Sequence, residues 1–108
     1  MTFCSVYITA SDKDEAVGIG KALVEERLAA CANVIDGVRS LYWWDGEVQD
    51  DPEVVVILKS RTELMEALTS RVKELHSYDV PCVVSWPILD GNADYLSWLG
   101  AETDTTPR

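Results

Sequence analysis

A mixed α+β domain in the order β-α-β-β-α-β, closed by a short helix, is what this sequence predicts. Three observations predict it. Strand-like runs rich in β-branched and aromatic residues alternate with stretches whose apolar residues recur every three or four positions. An Asp-Gly pair, Asp45-Gly46, stands between two such strand-like runs, the sequence of a tight hairpin. The 108 residues leave room for one core only, and 47% apolar with 26% charged residues is the balance of a globular domain.

Each element follows from its residues. Phe3 to Thr9 is aromatic and β-branched, a buried strand. Ser11 and Asp12 offer N-caps to a helix with Asp14 and Glu15 in its first turn and Ala16, Ile19, Leu23 and Leu28 toward the core. Gly18 and Gly20 resemble the start of a phosphate loop, but Leu23 holds the place of the third glycine, so helix–strand packing is the better reading. A long strand then runs from Cys31 to Trp44, with Asp36-Gly37 as a bulge or bend inside it. After the Asp45-Gly46 turn the return strand covers Glu47 to Ser60. Pro52 interrupts it, and Val54 to Leu58 is apolar on both faces.

A second helix begins near Thr62, with Leu64, Leu68, Val72 and Leu75 in one stripe and Arg71 and Lys73 late, where the helix dipole favours cations. Val80 to Ile88 reads as the last strand. Asn92 caps a final helix carrying Tyr95, Trp98 and Leu99 and closed by Gly100. Right-handed crossovers turn this order into a ferredoxin-like fold, four antiparallel strands with two helices on one face. Residues 1–100 form the single domain; 101–108, without a large apolar side chain, read as a flexible tail. One length does not match. A strand from Cys31 to Trp44 spans roughly 45 Å, whereas a helix of about 17 residues covers about 26 Å. The hairpin must project, and its tip carries Tyr42, Trp43 and Trp44, apolar area that an oligomer would cover.

Composition excludes several classes of function. A formal charge of −10 repels phosphate backbones and anionic lipid surfaces, so neither nucleic acid nor membrane is an expected partner. The start, Met1-Thr2-Phe3-Cys4-Ser5, has no basic segment ahead of an apolar stretch, so no signal peptide is expected. Three widely spaced cysteines, Cys4, Cys31 and Cys82, form neither a disulfide framework nor a zinc motif, and a reducing cytoplasm fits them best. Catalysis has little support: the one histidine has no nucleophile beside it, and no carboxylate pair has a spacing that sets geometry.

Four separated stretches resemble the CutA family of divalent-cation tolerance proteins. They are Glu26-Arg27-Leu28-Ala29-Ala30-Cys31-Ala32-Asn33, Ser40-Leu41-Tyr42-Trp43-Trp44-Asp45-Gly46-Glu47, His76-Ser77-Tyr78-Asp79-Val80-Pro81, and Gly91-Asn92 through Tyr95-Leu96-Ser97-Trp98. The resemblance covers roughly residues 3 to 100. It implies the ferredoxin-like fold, a homotrimer similar to that of PII signalling proteins, and a part in tolerance of copper and other divalent cations. A PII-like reader of a small anionic ligand at the subunit interface, or an adaptor trimer, is the alternative. Copper or another divalent cation is the implied cofactor, and folding needs none.

Soft copper favours thiolate, thioether or imidazole. Some members of the family place a cysteine near the end of the first strand and two adjacent histidines before the Ser-Tyr step; here Ile8 and Leu75 stand there and only His76 remains. His76 and Cys31 are therefore the candidate metal ligands. For His76 the structural alternative is an imidazolium at a helix C-terminus; for Cys4 and Cys82, small hydrophobes at opposite ends of one strand pair. Lys59 ends a buried strand, either snorkelling or contacting an anion. Tyr42, Trp44, Tyr78 and Trp98 read first as packing or interface residues. A candidate interface pocket joins Lys59, His76 and Tyr78 to the Tyr42 and Trp44 of a neighbouring chain. The acidic Asp50, Asp51 and Glu53 are a solvated loop, or a weak attractor of hard cations.

Overall fold

The computed structural model describes residues 2–105. The chain runs β1 (Phe3–Ala10), α1 (Lys13–Glu25), β2 (Cys31–Trp44), β3 (Glu47–Arg61), a 3-10 turn (Thr62–Leu64) leading into α2 (Met65–Leu75), β4 (Val83–Pro87) and α3 (Ala93–Glu102). The four strands lie in the order β2-β3-β1-β4 with every neighbour antiparallel. This is the ferredoxin-like arrangement.

Alternation along the central strands sorts the residues onto two faces. Val6 and Ile8 of β1 and Val56 and Leu58 of β3 meet Ile19 and Leu23 of α1 and Leu68 and Val72 of α2 in one core, each at most 2% exposed. The close packing expected of the glycines falls on Gly20 alone. A Cβ there would approach the Ala32 Cβ at 3.2 Å, whereas Gly18 has open space. The opposite face carries Cys31, Lys59, Ser5 and Trp86 in one cross-strand row and Asn33, Ile57, Tyr7 and Val84 in the next. Through Tyr95, α3 reaches the first of these rows at Cys31, and Arg61, paired with Phe3, donates to the Gly100 carbonyl of α3.

Both Asp-Gly pairs do what their chemistry favours. Asp45 and Gly46 have φ of 53° and 76°, the two left-handed centres of a type I′ turn. Asp36 and Gly37 together oppose Val54, a bulge with Gly37 at φ 81° and its N–H donating to the Asp36 carboxylate. β1 stops opposite Val54. Beyond it β2 and β3 continue as a bare two-stranded arm, which is why Pro52 is tolerated: β3 there has a partner on one side only. The molecule is 47 Å long, and its radius of gyration of 14.5 Å exceeds the roughly 13 Å of a compact chain this size.

Three boundaries differ from the expectation. The core face expected of α1 extended to Leu28, but the helix ends at Glu25 in a Schellman motif with Arg27 at φ 62° and the Leu28 N–H bonded to the Leu23 carbonyl. β4 starts at Val83 rather than Val80, since Pro81 brings no N–H to a ladder. The tail expected from Ala101 is not loose there: α3 continues to Glu102, and Thr103 is 1% exposed. The docking is polar. Arg61 donates to the Gly100 carbonyl and the Thr103 hydroxyl, and Arg27 donates to the carbonyl and carboxylate of Glu102. Residues 106–108 of that expected tail lie outside the described residues.

Candidate functional site

The densest polar constellation surrounds the connection from α2 to β4, residues 76–82, which lies like a strap across the end of β1 and the middle of β3. α2 stops at Leu75, and His76 turns extended while its N–H still closes the helix on Val72. That turn sends the imidazole back toward β1. Nε2 lies 2.8 Å from the Thr9 carbonyl, and Nδ1 lies 3.0 Å from the Tyr78 N–H. A carbonyl can only accept and an amide N–H can only donate, so the network assigns the neutral ring with its proton on Nε2. The ring is buried and packs 4.6 Å from that of Tyr78.

Two carboxylates hold the next two residues. Glu15 accepts from the Ser77 N–H at 2.9 Å and from the N–H and hydroxyl of Ser11. Burial alone would push its carboxyl up, but the hydrogen bonds from Ser77 and Ser11 outweigh it and hold the group down to about 2. The Tyr78 hydroxyl donates to Glu53 at 3.0 Å. Burial, then that bond and the neighbouring Glu53 and Glu15 charges, raise the phenol and keep it protonated. Two residues further out along β3, Asp51 accepts from the Tyr42 hydroxyl at 2.7 Å. Cys82 closes the strap and, unlike the small buried hydrophobe expected, is an exposed residue; partial desolvation of its thiol and the Glu53 charge still raise it despite a bond with Thr9, so it is a poor thiolate donor.

A second group lies six residues along β3 from Glu53. Cys31 and Lys59 are direct cross-strand partners, on the same face and half-buried. The Cys31 Sγ is 3.4 Å from the Tyr95 hydroxyl. That bond first, and burial second, push the Tyr95 phenol up to about 12. Tyr95 packs against Trp98 at 5.4 Å, and Tyr7 against Trp86 at 5.9 Å. Lys59 has no ion pair among the described residues.

The fold thus divides the sequence-predicted residues. Lys59 and Cys31 come together, and so do His76 and Tyr78, with Tyr42 within electrostatic reach of Tyr78. Lys59 and His76 do not meet within the chain, because Lys59 pairs with Ser5 while His76 reaches Thr9 at the far end of the same strand. A metal at either nitrogen of His76 would have to displace a hydrogen bond that shapes the strap. No group of three or more His, Cys, Asp or Glu side chains converges among the described residues, so the donors of one chain do not fit a closed metal site. Trp44 stands exposed on the arm, away from both groups. Sequence reasoning missed Glu15 and Tyr95 as site residues; it read Glu53 with Asp50 and Asp51 as a solvated acidic loop, whereas all three lie in β3 and accept from Tyr78, Arg39 and Tyr42 respectively. Glu15 reads locally as a capping residue three positions after Asp12, whose side chain does accept from the Glu15 N–H; its second task, on Ser77, has no sequence signal.

Comparison with known proteins decides the family. A family model described as CutA1 divalent ion tolerance protein matches residues 4–102. The chain belongs to the CutA1 family. It is 48% identical over 98 residues to the divalent-cation tolerance protein CutA of Thermus thermophilus, a match spanning 91% of this chain and 95% of that one. It is 45% identical over 98 residues to the chloroplastic protein CutA 1 of Oryza sativa, of which it spans 55%. The crystal structure of CutA1 from Oryza sativa superposes with a TM-score of 0.94 at 42% identity, covering 98% of this chain and 97% of that one. The CutA1 structure from Thermus thermophilus gives 0.92 at 46% identity, covering 94% and 99%. The strap and the aromatic arm are thus parts of a CutA1 fold. No helix among the described residues is long and apolar enough to cross a membrane.

Proposed function

We propose that this CutA1 protein acts without catalysis in the tolerance of divalent cations, copper among them, in a reducing compartment, as a homotrimer assembled through the arm. The observation that carries the reading is the arm itself. Leu41, Trp43, Trp44 and Val48 are 58% to 75% exposed in a family whose shared task is cation tolerance. A ribbon carrying that much apolar surface needs a partner, and further copies of the same chain are the partner always at hand. Copper binding on this reading is weak and needs assembly, because among the described residues no three ligands come together in one chain. Cys31 is the thiol left for it, with Cys4 buried and Cys82 kept protonated.

The test has two arms. Light scattering of the wild-type chain should give about 36 kDa, three times 12.0 kDa, and Trp44→Glu should shift it toward the monomer. Calorimetry should show copper uptake lost in Cys31→Ser and in Trp44→Glu alike. A monomeric wild type, or copper affinity unchanged in both variants, overturns the reading. A second reading, an anionic ligand at the subunit interface, is favoured by Lys59, which stands beside Cys31 and has no ion pair among the described residues. Lys59→Ala should then abolish binding of a nucleotide or carboxylate probe with little change in melting temperature.

A further inference from the structure

The end of the body away from the arm carries a groove that no residue of the strap or of the Cys31 group lines. It lies between α3 and the last rung of the β1–β3 ladder, where Phe3 pairs with Arg61; the arm begins beyond the other end of that ladder, at Ala10 and Val54. Its volume is about 820 Å³, within the range of small-molecule sites. The hollow comes from the sequence of α3. Ala93, Ser97 and Ala101 recur at helical spacing and put small side chains along one side of the helix, which leaves the space beside Phe3 unfilled. Leu96 supplies a second apolar wall. We propose that this groove binds a small aryl monocarboxylate, its carboxylate on the Arg61 guanidinium and its ring against Phe3 and Leu96.

Arg61 dictates the sign of the ligand. Its Nε donates to the Thr103 hydroxyl at 2.9 Å and its Nη2 to the Gly100 carbonyl, both neutral acceptors. Those bonds fix the guanidinium plane against α3 and leave the Nη1–Nη2 end of the fork to the groove. No carboxylate pairs with Arg61 among the described residues, although the chain has 19 Asp and Glu against 9 Lys and Arg. A half-buried guanidinium already locked in place is preorganised for a planar carboxylate, which it holds through two parallel N–H···O bonds. The walls dictate the rest. Phe3 favours a flat aromatic body, which offset-stacks or meets it edge to face. Asp104, just past the end of α3, lines the same groove. With that carboxylate at the rim and a net charge of −10 behind it, the site tolerates one negative charge and disfavours a phosphate dianion.

The experiment is calorimetry with amide NMR on the full chain, using phenylacetate, inorganic phosphate and benzyl alcohol as probes. Phenylacetate should bind saturably and shift the amides of Phe3, Arg61 and Leu96 to Ala101. Phosphate and benzyl alcohol should bind about tenfold more weakly or not at all, since one lacks the ring and the other the charge. Ser97→Leu fills the groove from α3 without touching either Arg61 bond, and leucine suits a helix. It should weaken phenylacetate by about tenfold or more without lowering the melting temperature. Arg61→Lys should lose phenylacetate too; because Arg61 also holds α3, its result is read beside that of Ser97→Leu. Lys59→Ala, outside the groove, should bind phenylacetate as the wild type does. Loss of binding in Lys59→Ala would overturn the assignment and move the ligand to the Cys31 group. So would an absence of saturable phenylacetate binding, equal binding of phosphate or benzyl alcohol, or affinity that survives Ser97→Leu.

Discussion

The body and the arm of this molecule are made from the same two strands, yet they differ in what stands behind them. In the body, Val54 to Leu58 of β3 has β1 on one side, β2 on the other and two helices over one face; Val54, Val55, Val56 and Leu58 are at most 4% exposed. Past the bulge at Asp36-Gly37 the same ladder continues to Trp44 and Glu47, touched by Tyr78 of the strap at Glu53 but with no helix over it among the described residues, and Trp43 is 75% exposed. Backbone pairing persists; burial does not. The lesson is that a hairpin's hydrogen bonds set its geometry, while its stability comes from layers, and a bare two-stranded ribbon is marginal in water. The body closes on itself, and the arm is left exposed.

The largest expected effect lies in the body. Leu68→Ala, at a fully buried site, should cost about 2–5 kcal/mol by urea unfolding. Trp43→Ala should change the unfolding of the dissociated chain by no more than about 0.5 kcal/mol, even though it removes far more apolar area. Equal costs for the two would erase the distinction between body and arm.

Next comes the polar lock on α3. Arg61→Ala leaves the Gly100 carbonyl and the Thr103 hydroxyl without their donor and should cost about 1–3 kcal/mol, with faster amide exchange in α3 than anywhere else. Arg61→Lys should rescue little, because one ammonium cannot span both acceptors in the guanidinium's fixed geometry. Exchange that quickens first in the arm would place the weak point elsewhere.

Glu15→Gln is expected to be smaller, about 1 kcal/mol at neutral pH. Its carboxyl is lower in the folded chain than in the unfolded one, so its contribution is present above about 4.5 and lost as the pH falls toward about 2. Wild type and variant should therefore converge in stability across that window. A gap that stays constant down to the lower end would mean that the charge is not what holds Ser77.

The smallest effect is expected at the arm's own ion pair. Arg39 and Asp50 make two bonds of 2.6 Å, but both side chains are solvated. Arg39→Ala should leave the urea midpoint unresolved from wild type, and added salt should change nothing further. Measurable destabilisation of the isolated chain would show that the arm has stability of its own.

Much of the candidate site was legible one residue at a time and little of it as a constellation. His76, Tyr78, Cys31 and Lys59 stand out as residue types, since a lone histidine, a half-buried lysine and a thiol at a strand entrance are each unusual. Their partners do not stand out. Glu15 meets Ser77 across 62 positions and Tyr95 meets Cys31 across 64, and no local pattern encodes such meetings.

What the sequence determined by itself is whatever is decided within a few residues. Two Asp-Gly pairs select left-handed backbone at a turn and at a bulge; Asp12 and Asn92 cap the helices that follow them; β-branched and aromatic runs select β1 and β3 as strands. These are local preferences of backbone and side chain, and they survive in any tertiary setting that honours them. Only the tertiary structure decided the rest. It put Arg61 and Arg27 on the carbonyl end of α3, turned the expected loose tail into an ordered helix end, and placed the His76 ring between Thr9 and Tyr78. Those outcomes depend on which distant donor meets which acceptor once the layers have closed, and that is fixed by the sum of the packing, not by any one segment.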